Sequence, residues 1–190
     1  MSSTQTAKMI SVHDYLRIEA ESGERYEYYD GKIKLMAGGT IPHNTIAGNV
    51  FGELFAVAKT RKNLRVFGSD QKIYLPKYNF YLYADTVVVS EEPLLSDDSA
   101  DAIINPVLII EVMSPSSEAR DRGTKFVEYG SLESLKEYAL IRQDIPEVKT
   151  FFRESVGHWL ESTIEGVSAS VEFRSIDVRL PFVDIYRKVL

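Results

Sequence analysis

The sequence predicts an α/β protein in which a mixed sheet carries helices on both faces and β-hairpins at its flanks. Three observations lead there. The run PVLIIEVM (106–113) is apolar on both faces, as a central strand covered on two sides is. It is followed by a helical stretch, SEARDRGTKFVEYG, and a second apolar strand, EYALIRQ, which together make a right-handed strand–helix–strand crossover. Earlier, the order helix, hairpin, helix and two further strands alternates the two element types as layered α/β domains do.

The elements follow in chain order. Residues 1–8 are polar and expected to be loose. SVHDYLRIEAE (11–21) places Val12, Tyr15, Leu16 and Ile18 at near-helical spacing, with Ser11 as cap and Asp14 three residues on. RYEYYDGKIKLMA is a hairpin, because Asp30-Gly31 between two β-prone runs favours a two-residue type I′ turn. Its first arm puts Arg25, Glu27 and Tyr29 on one face, and Tyr26, Tyr28 and Asp30 on the other. A helix after Pro42 carries Ile46, Val50, Leu54 and Val57 as its core stripe. LRVFGSDQKIYLP and FYLYADTVVV read as two strands joined by a turn at KYN, and SEEPLLSDDSADAI as an acidic loop. After the central strand, Ser114-Pro115 stops it and opens a helix. Ala119, Gly123, Phe126 and Gly130 face the sheet, while Arg122, Lys125 and Tyr129 lie nearer the rim. The last segments, EVKTFFRES, HWLESTI, ASVEF and DVRLPFVDIY, form a meander.

Composition bounds the function. The chain has 190 residues, 44% hydrophobic and 26% charged, which suits one domain over 1–190 with a real core. It has no cysteine, so disulfides, thiolate metal sites and cysteine nucleophiles are excluded. No apolar run approaches the roughly 18 residues of a membrane span. The first residues lack the pattern of a secretory signal. A cytoplasmic protein is expected. The net charge of −6 argues against tight, non-specific binding to nucleic acid through bulk charge. Two local basic clusters stand out: Lys59, Arg61, Lys62 and Arg65, then Arg120, Arg122 and Lys125. Solvated helix ends explain the first.

Glu111 interrupts the most apolar strand of the chain, and Asp85 opens another, DTVVV. A buried unpaired carboxylate costs several kcal/mol or takes up a proton. If the two strands are antiparallel neighbours, the start of one lies beside the end of the other and the carboxylates converge. A cation is then expected between them. Mg²⁺ suits such a site, since it takes one or two carboxylates and completes its shell with water and phosphate oxygens. Lys125, on the following helix, is the nearby base. Blander readings exist for each residue. Glu111 at a strand end reaches solvent or caps the next helix. Lys125 forms a surface i,i+4 pair with Asp121. Glu27 is an exposed strand residue paired with Arg25 or Lys34. His43 caps a helix or sits in the core, or touches a phosphate. His13 and His158 have no ligand-like spacing to another histidine, and Asp70 is an outlying candidate for the acidic cluster. Gly38-Gly39 lacks the residues of a phosphate loop.

At these residues the chain resembles the PD-(D/E)XK nuclease superfamily, and within it the large bacterial branch of restriction-endonuclease-like proteins. The resemblance runs through RYEYYDGKI, HNTIAGNV, VFGSDQKIYLP, YLYADTVVV, EYALIRQD and LPFVDIY, and is most specific over PVLIIEVMSPSSEARDRGTKFVEYGSL. It implies a three-layer α/β/α restriction-endonuclease-like core and a metal-dependent endonuclease that hydrolyses DNA phosphodiester bonds. Asp85 and Glu111 would bind Mg²⁺, with Mn²⁺ as an alternative ion. Lys125 and Glu27 would complete the catalytic set, and no organic cofactor is implied. Two features depart from the superfamily pattern: Ala84 stands where proline is expected, and Met113 stands where the lysine is. In this branch the lysine moves to the next helix, at Lys125. The competing reading is a catalytically silent nucleic-acid-binding or interaction protein on the same scaffold. DNA is the expected partner. A homodimer is expected too, because two-fold sites suit double-strand cleavage, and the aromatic segment YNFYLY is its candidate contact.

Overall fold

The computed structural model describes residues 9–113 and 120–190. The expected looseness of 1–8, the helix start at Ser114-Pro115 and the sheet contact of Ala119 lie outside the described residues.

Helix α1 (Val12–Ser22) is capped as its sequence predicts: the Ser11 side chain accepts from the Asp14 N–H, and Gly23 closes the other end in the left-handed region. Strands β1 (Tyr26–Tyr29) and β2 (Lys32–Leu35) pair around Asp30 and Gly31, both at positive φ, as a type I′ turn requires. Helix α2 (Ile41–Ala58) begins at a Thr40 cap with Pro42 in its first turn, and buries Ile46, Val50 and Leu54.

The next two segments behave differently from the reading as single strands. LRVFGSDQKIYLP divides at Gly68 into β3 (Leu64–Phe67) and β4 (Lys72–Leu75), which belong to different sheets. FYLYADTVVV divides at Ala84-Asp85 into β5 (Phe80–Tyr83) and β6 (Thr86–Ser90), again in different sheets. Twice, then, the chain turns a corner between layers, and Asp85 sits on one of those corners. The acidic loop SEEPLLSDDSADAI contains β7 (Leu95–Ser96) and β8 (Ser99–Ile103), anchored by buried Ser96, Ala102 and Ile103.

Strand β9 (Leu108–Met113) is followed by a π-helical turn (Asp121–Lys125), α3 (Phe126–Tyr129) and β10 (Glu137–Arg142). β10 lies parallel to β9, as the crossover reading requires. The meander supplies β11 (Glu147–Ser155), β12 (His158–Glu165), β13 (Ser170–Phe173) and β14 (Val178–Pro181). Its last segment ends in one helical turn, α4 (Phe182–Ile185), rather than in strand.

The central sheet has the order β12-β11-β10-β9-β6-β3. The hairpins do not merely flank it. They assemble into a second six-stranded sheet, β2-β1-β5-β4-β8-β7. One face of the central sheet packs Leu108, Ile110 and Val112 against α2 and the β13–α4 segment. The other packs Ile109 and Met113 against the second sheet and α3, with Tyr129 and Tyr138 in the seam. This is the predicted layered core, and the alternation along β9 assigns its two faces correctly. That alternation groups Val107 with Ile109, Glu111 and Met113, and the exception is Val107, which joins the α2 side. No helix among the described residues is long and apolar enough to cross a membrane.

The segment YNFYLY is not a free edge. β5 runs between β1 and β4, and Tyr81, Leu82 and Tyr83 are buried. Core packing therefore accounts for its aromatic residues, and the dimer contact assigned to it is withdrawn.

Candidate active site

β6 and β9 are antiparallel, with Thr86 opposite Ile110 and Val87 opposite Ile109. One further step of that register puts Asp85 across from Glu111. Directly opposed residues have Cβ atoms about 5 Å apart. The Asp85 Oδ2 accepts the Val112 N–H at 2.7 Å, which fixes its carboxylate at the strand end.

Glu111 is buried, only 5% exposed, so the solvent-reaching reading fails. Lys125 meets it from the π-helical turn. Its ammonium lies 2.6 Å from Glu111 Oε1, 3.4 Å from the Tyr83 carbonyl, and 3.9 Å from both Glu27 Oε1 and Asp121 Oδ1. The Asp121–Lys125 pair is real but buried, not a surface motif. The Tyr129 hydroxyl donates to the Tyr83 carbonyl at 3.0 Å and approaches Glu111 Oε1 at 3.4 Å. Glu27 is buried as well. It accepts from the Tyr29 hydroxyl at 2.7 Å and pairs with Arg120 at 3.0 Å, not with Arg25 or Lys34. The four residues Asp85, Glu111, Lys125 and Glu27 thus line one cleft of about 410 Å³.

Sequence reasoning missed or under-weighted four neighbours. His43, at the start of α2, places Nε2 3.3 Å from Asp85 Oδ2. Asp121 and Tyr83 line the cleft, and Arg120 holds Glu27. The signal for His43 was its place just inside a capped helix start. Nothing local marked Tyr83, whose contribution is a backbone carbonyl. Asp70 lies elsewhere: it is exposed and near Arg25. In the first basic cluster, Arg61 binds the carbonyls of Ile176 and Asp177, and Arg65 pairs with Glu92.

The electrostatics are dominated by burial. It pushes the Glu111 carboxyl up to about 8; Lys125 pulls the other way, and Asp85 and Asp121 add to the rise. Burial alone would lower the Lys125 ammonium, but Glu111, Glu27 and Asp121 more than offset it and hold it above the ordinary lysine range. The hydrogen bond to Asp85 raises His43 above the usual imidazole value against the opposing effect of burial. Among the described residues, four carboxylates line the cleft with the cations Arg120 and Lys125, and Lys34 is exposed at the rim.

A second buried polar network backs the first. Glu19 accepts from the Tyr83 hydroxyl and the Tyr26 N–H, each at 2.9 Å, and pairs with Lys72 at 2.8 Å. Tyr83 thus ties α1 to the cleft: its side chain holds Glu19 while its carbonyl holds Lys125 and Tyr129.

Comparison with known proteins places the chain in a family. The family model Uma2, described as "Putative restriction endonuclease", matches residues 12–181. Two proteins of Synechocystis sp. (strain ATCC 27184 / PCC 6803 / Kazusa) are similar over most of their length. "Uncharacterized protein sll1609" is 32% identical over 168 residues, covering 88% of this chain and 94% of that protein. "Uncharacterized protein slr1290" is 31% identical over 178 residues, covering 94% and 92%. A crystal structure described as a putative nuclease belonging to DUF820, from Anabaena variabilis ATCC 29413, superposes with a TM-score of 0.76 over 95% of this chain and 99% of that one. At 18% identity, it speaks to the fold. With its restriction-endonuclease-like core and a family match spanning nearly its whole length, the chain belongs to the Uma2 family of the PD-(D/E)XK-like nucleases.

Proposed function

We propose that this protein is a metal-dependent endonuclease that hydrolyses DNA phosphodiester bonds in the cleft between β6, β9 and the π-helical turn. The observation that carries the reading is the meeting of Asp85, Glu111 and Lys125 at one strand end, with the lysine 2.6 Å from Glu111.

The residues fit a divalent cation. Asp85 and Glu111 are the two carboxylates that would hold it, and a bound cation would offset the burial that raises Glu111 to about 8. Among the described residues no group of three or more His, Cys, Asp and Glu forms a ready cage. Two carboxylates suit Mg²⁺, or Mn²⁺ in its place, since Mg²⁺ binds through one or two carboxylates and leaves room for water and phosphate oxygens. When bound, such an ion polarises the phosphate and lowers the pKa of water.

The chain's own groups supply the rest. Lys125 stands over the reacting position as a fixed positive charge, suited to orient the attacking water and to stabilise charge growing on the phosphate. Tyr83 and Tyr129 hold its ammonium and Glu111 in place. Glu27, locked by Tyr29 and Arg120, limits where Lys125 can swing. His43 fixes the second oxygen-bearing partner, Asp85, from the helix side.

The test is incubation of supercoiled and linear DNA with Mg²⁺ or Mn²⁺, wild type beside Glu111→Ala. Cation-dependent cleavage by wild type, lost in the variant, is expected. Undiminished cleavage by Glu111→Ala would overturn the proposal.

A further inference from the structure

Phe51 and Phe55 stand one turn apart on α2, and their rings stack with centroids 5.6 Å apart and planes 20° from parallel. Neither belongs to the core that α2 covers through Ile46, Val50 and Leu54. Phe55 is 44% exposed. The Lys59 ammonium lies 5.3 Å from the centre of the Phe55 ring, and Lys62 is exposed just beyond it. This is the basic cluster that the nuclease site leaves unused. At its other end the aromatic pair approaches the chain segment that leads into the cleft. A Cβ on Gly68 would sit 3.8 Å from the Phe51 ring, and the next residue, Ser69, lines the cleft together with His43.

The recess of the cleft favours a flexible substrate. The side chains of Glu27, Glu111 and Lys125 are each less than a tenth exposed. A single strand, which bends freely, reaches phosphates into such a recess more readily than a stiff duplex does. Duplex binding also draws its strength from many lysine and arginine contacts to phosphate, and this chain carries a net charge of −6. Single-strand binding asks for less: aromatic faces for the bases and a few cations along the backbone.

We propose that Phe51, Phe55 and Lys59 form a stacking platform for single-stranded nucleic acid whose phosphodiester bond enters the cleft, a proposal that rests on the nuclease reading of that cleft. Bases stack on the two phenylalanines, and Lys59 and Lys62 take phosphates. With a rise of about 1.5 Å per residue, Phe51 lies about 12 Å and Phe55 about 18 Å along α2 from His43. At about 3.4 Å per stacked nucleotide, roughly four to five nucleotides span the distance.

The test is fluorescence anisotropy with a fluorescein-labelled thymidine dodecamer and with a duplex of the same length, in EDTA so that no cleavage intervenes. The single strand should bind about tenfold more tightly than the duplex. Phe55→Ala and the double variant Phe51→Ala/Phe55→Ala should weaken it by about fivefold or more, while Phe55→Trp should retain it. Phe55 is exposed, so its single variant keeps the test valid if the double variant does not fold. Absence of saturable strand binding, equal affinity for duplex, or unchanged affinity in the alanine variants each overturns the platform. Cation-dependent cleavage by a wild type that fails these binding criteria would leave the nuclease reading standing and the platform refuted. Strand binding through the phenylalanines without cleavage would do the reverse.

Discussion

At the scale of the residue, Lys125 is the group on which the buried charge of the cleft turns. Lys125→Met leaves Glu111 and Asp121 without the ammonium both face. Breaking a buried ion pair from one side costs about 3–5 kcal/mol, and urea denaturation in cation-free buffer at about pH 9, where Glu111 is ionised, is expected to show a loss of that order. A loss below about 1 kcal/mol, the range of an exposed pair, would mean the lysine is not held as described. Glu111 gives a pH-dependent test. Its carboxyl titrates at about 8 in the folded chain against an ordinary 4.5. Between those values the folded state holds more proton than the unfolded state. The contribution of Glu111 is therefore fully present below about 4.5 and is lost as pH rises through about 8. Wild type should lose stability relative to Glu111→Gln across that window, as read by denaturation at several pH values. The opposite slope would show that Lys125 governs the pair instead. Glu111 and Asp85 were legible as a pair because a carboxylate within VLIIEVM has few cheap explanations. His43 was not, because its role depends on where the first turn of α2 lands, and no local pattern states that.

At the scale of the element, the cleft depends on strands that change sheets. Asp85 is at a corner between β5 and β6, and its neighbour across the corner, Tyr83, is pinned through Glu19 to Lys72. Lys72→Met should cost about 3–5 kcal/mol by leaving Glu19 buried and unpaired. Asp101→Asn removes the other partner of Lys72, whose side chain is 71% exposed, and should cost no more than about 1 kcal/mol. Equal effects in chemical denaturation would refute the buried-network account. The corners also explain what sequence reading did not resolve. β-propensity ran on through FYLYADTVVV and LRVFGSDQKIYLP, and a strand that continues is locally indistinguishable from one that bends into a second sheet. The Asp30-Gly31 turn, the Ser11 and Thr40 caps and the α2 stripe were legible because each is decided within a few residues. Met113, where the superfamily pattern has its lysine, is buried in the core between the sheets, whereas Lys125 brings its ammonium to Glu111 from the next element.

At the scale of the molecule, the second sheet on one side of the central sheet and α2 on the other leave the strand end of β9 as a recess that, among the described residues, four carboxylates share with Lys34, Arg120 and Lys125. A cation that binds the folded chain alone stabilises it by mass action, about 2.7 kcal/mol at a hundredfold excess over its Kd. Mg²⁺ or Mn²⁺ should therefore raise the thermal midpoint of wild type and leave that of Asp85→Asn unchanged in calorimetry. An equal rise in both would place the ion elsewhere. The acidic balance of the chain, with Phe51 and Phe55 on α2 and Lys59 just past its end, fits a protein that admits one strand at a time to that recess. The most direct measurement is single-turnover cleavage of an end-labelled strand with Mg²⁺ by wild type, Glu111→Ala and Lys125→Ala. The account predicts cation-dependent internal cuts by wild type and none by either variant. Cleavage that survives in both variants, or a wild type that makes no cut with Mg²⁺ or Mn²⁺ on single-stranded or duplex DNA, would contradict it.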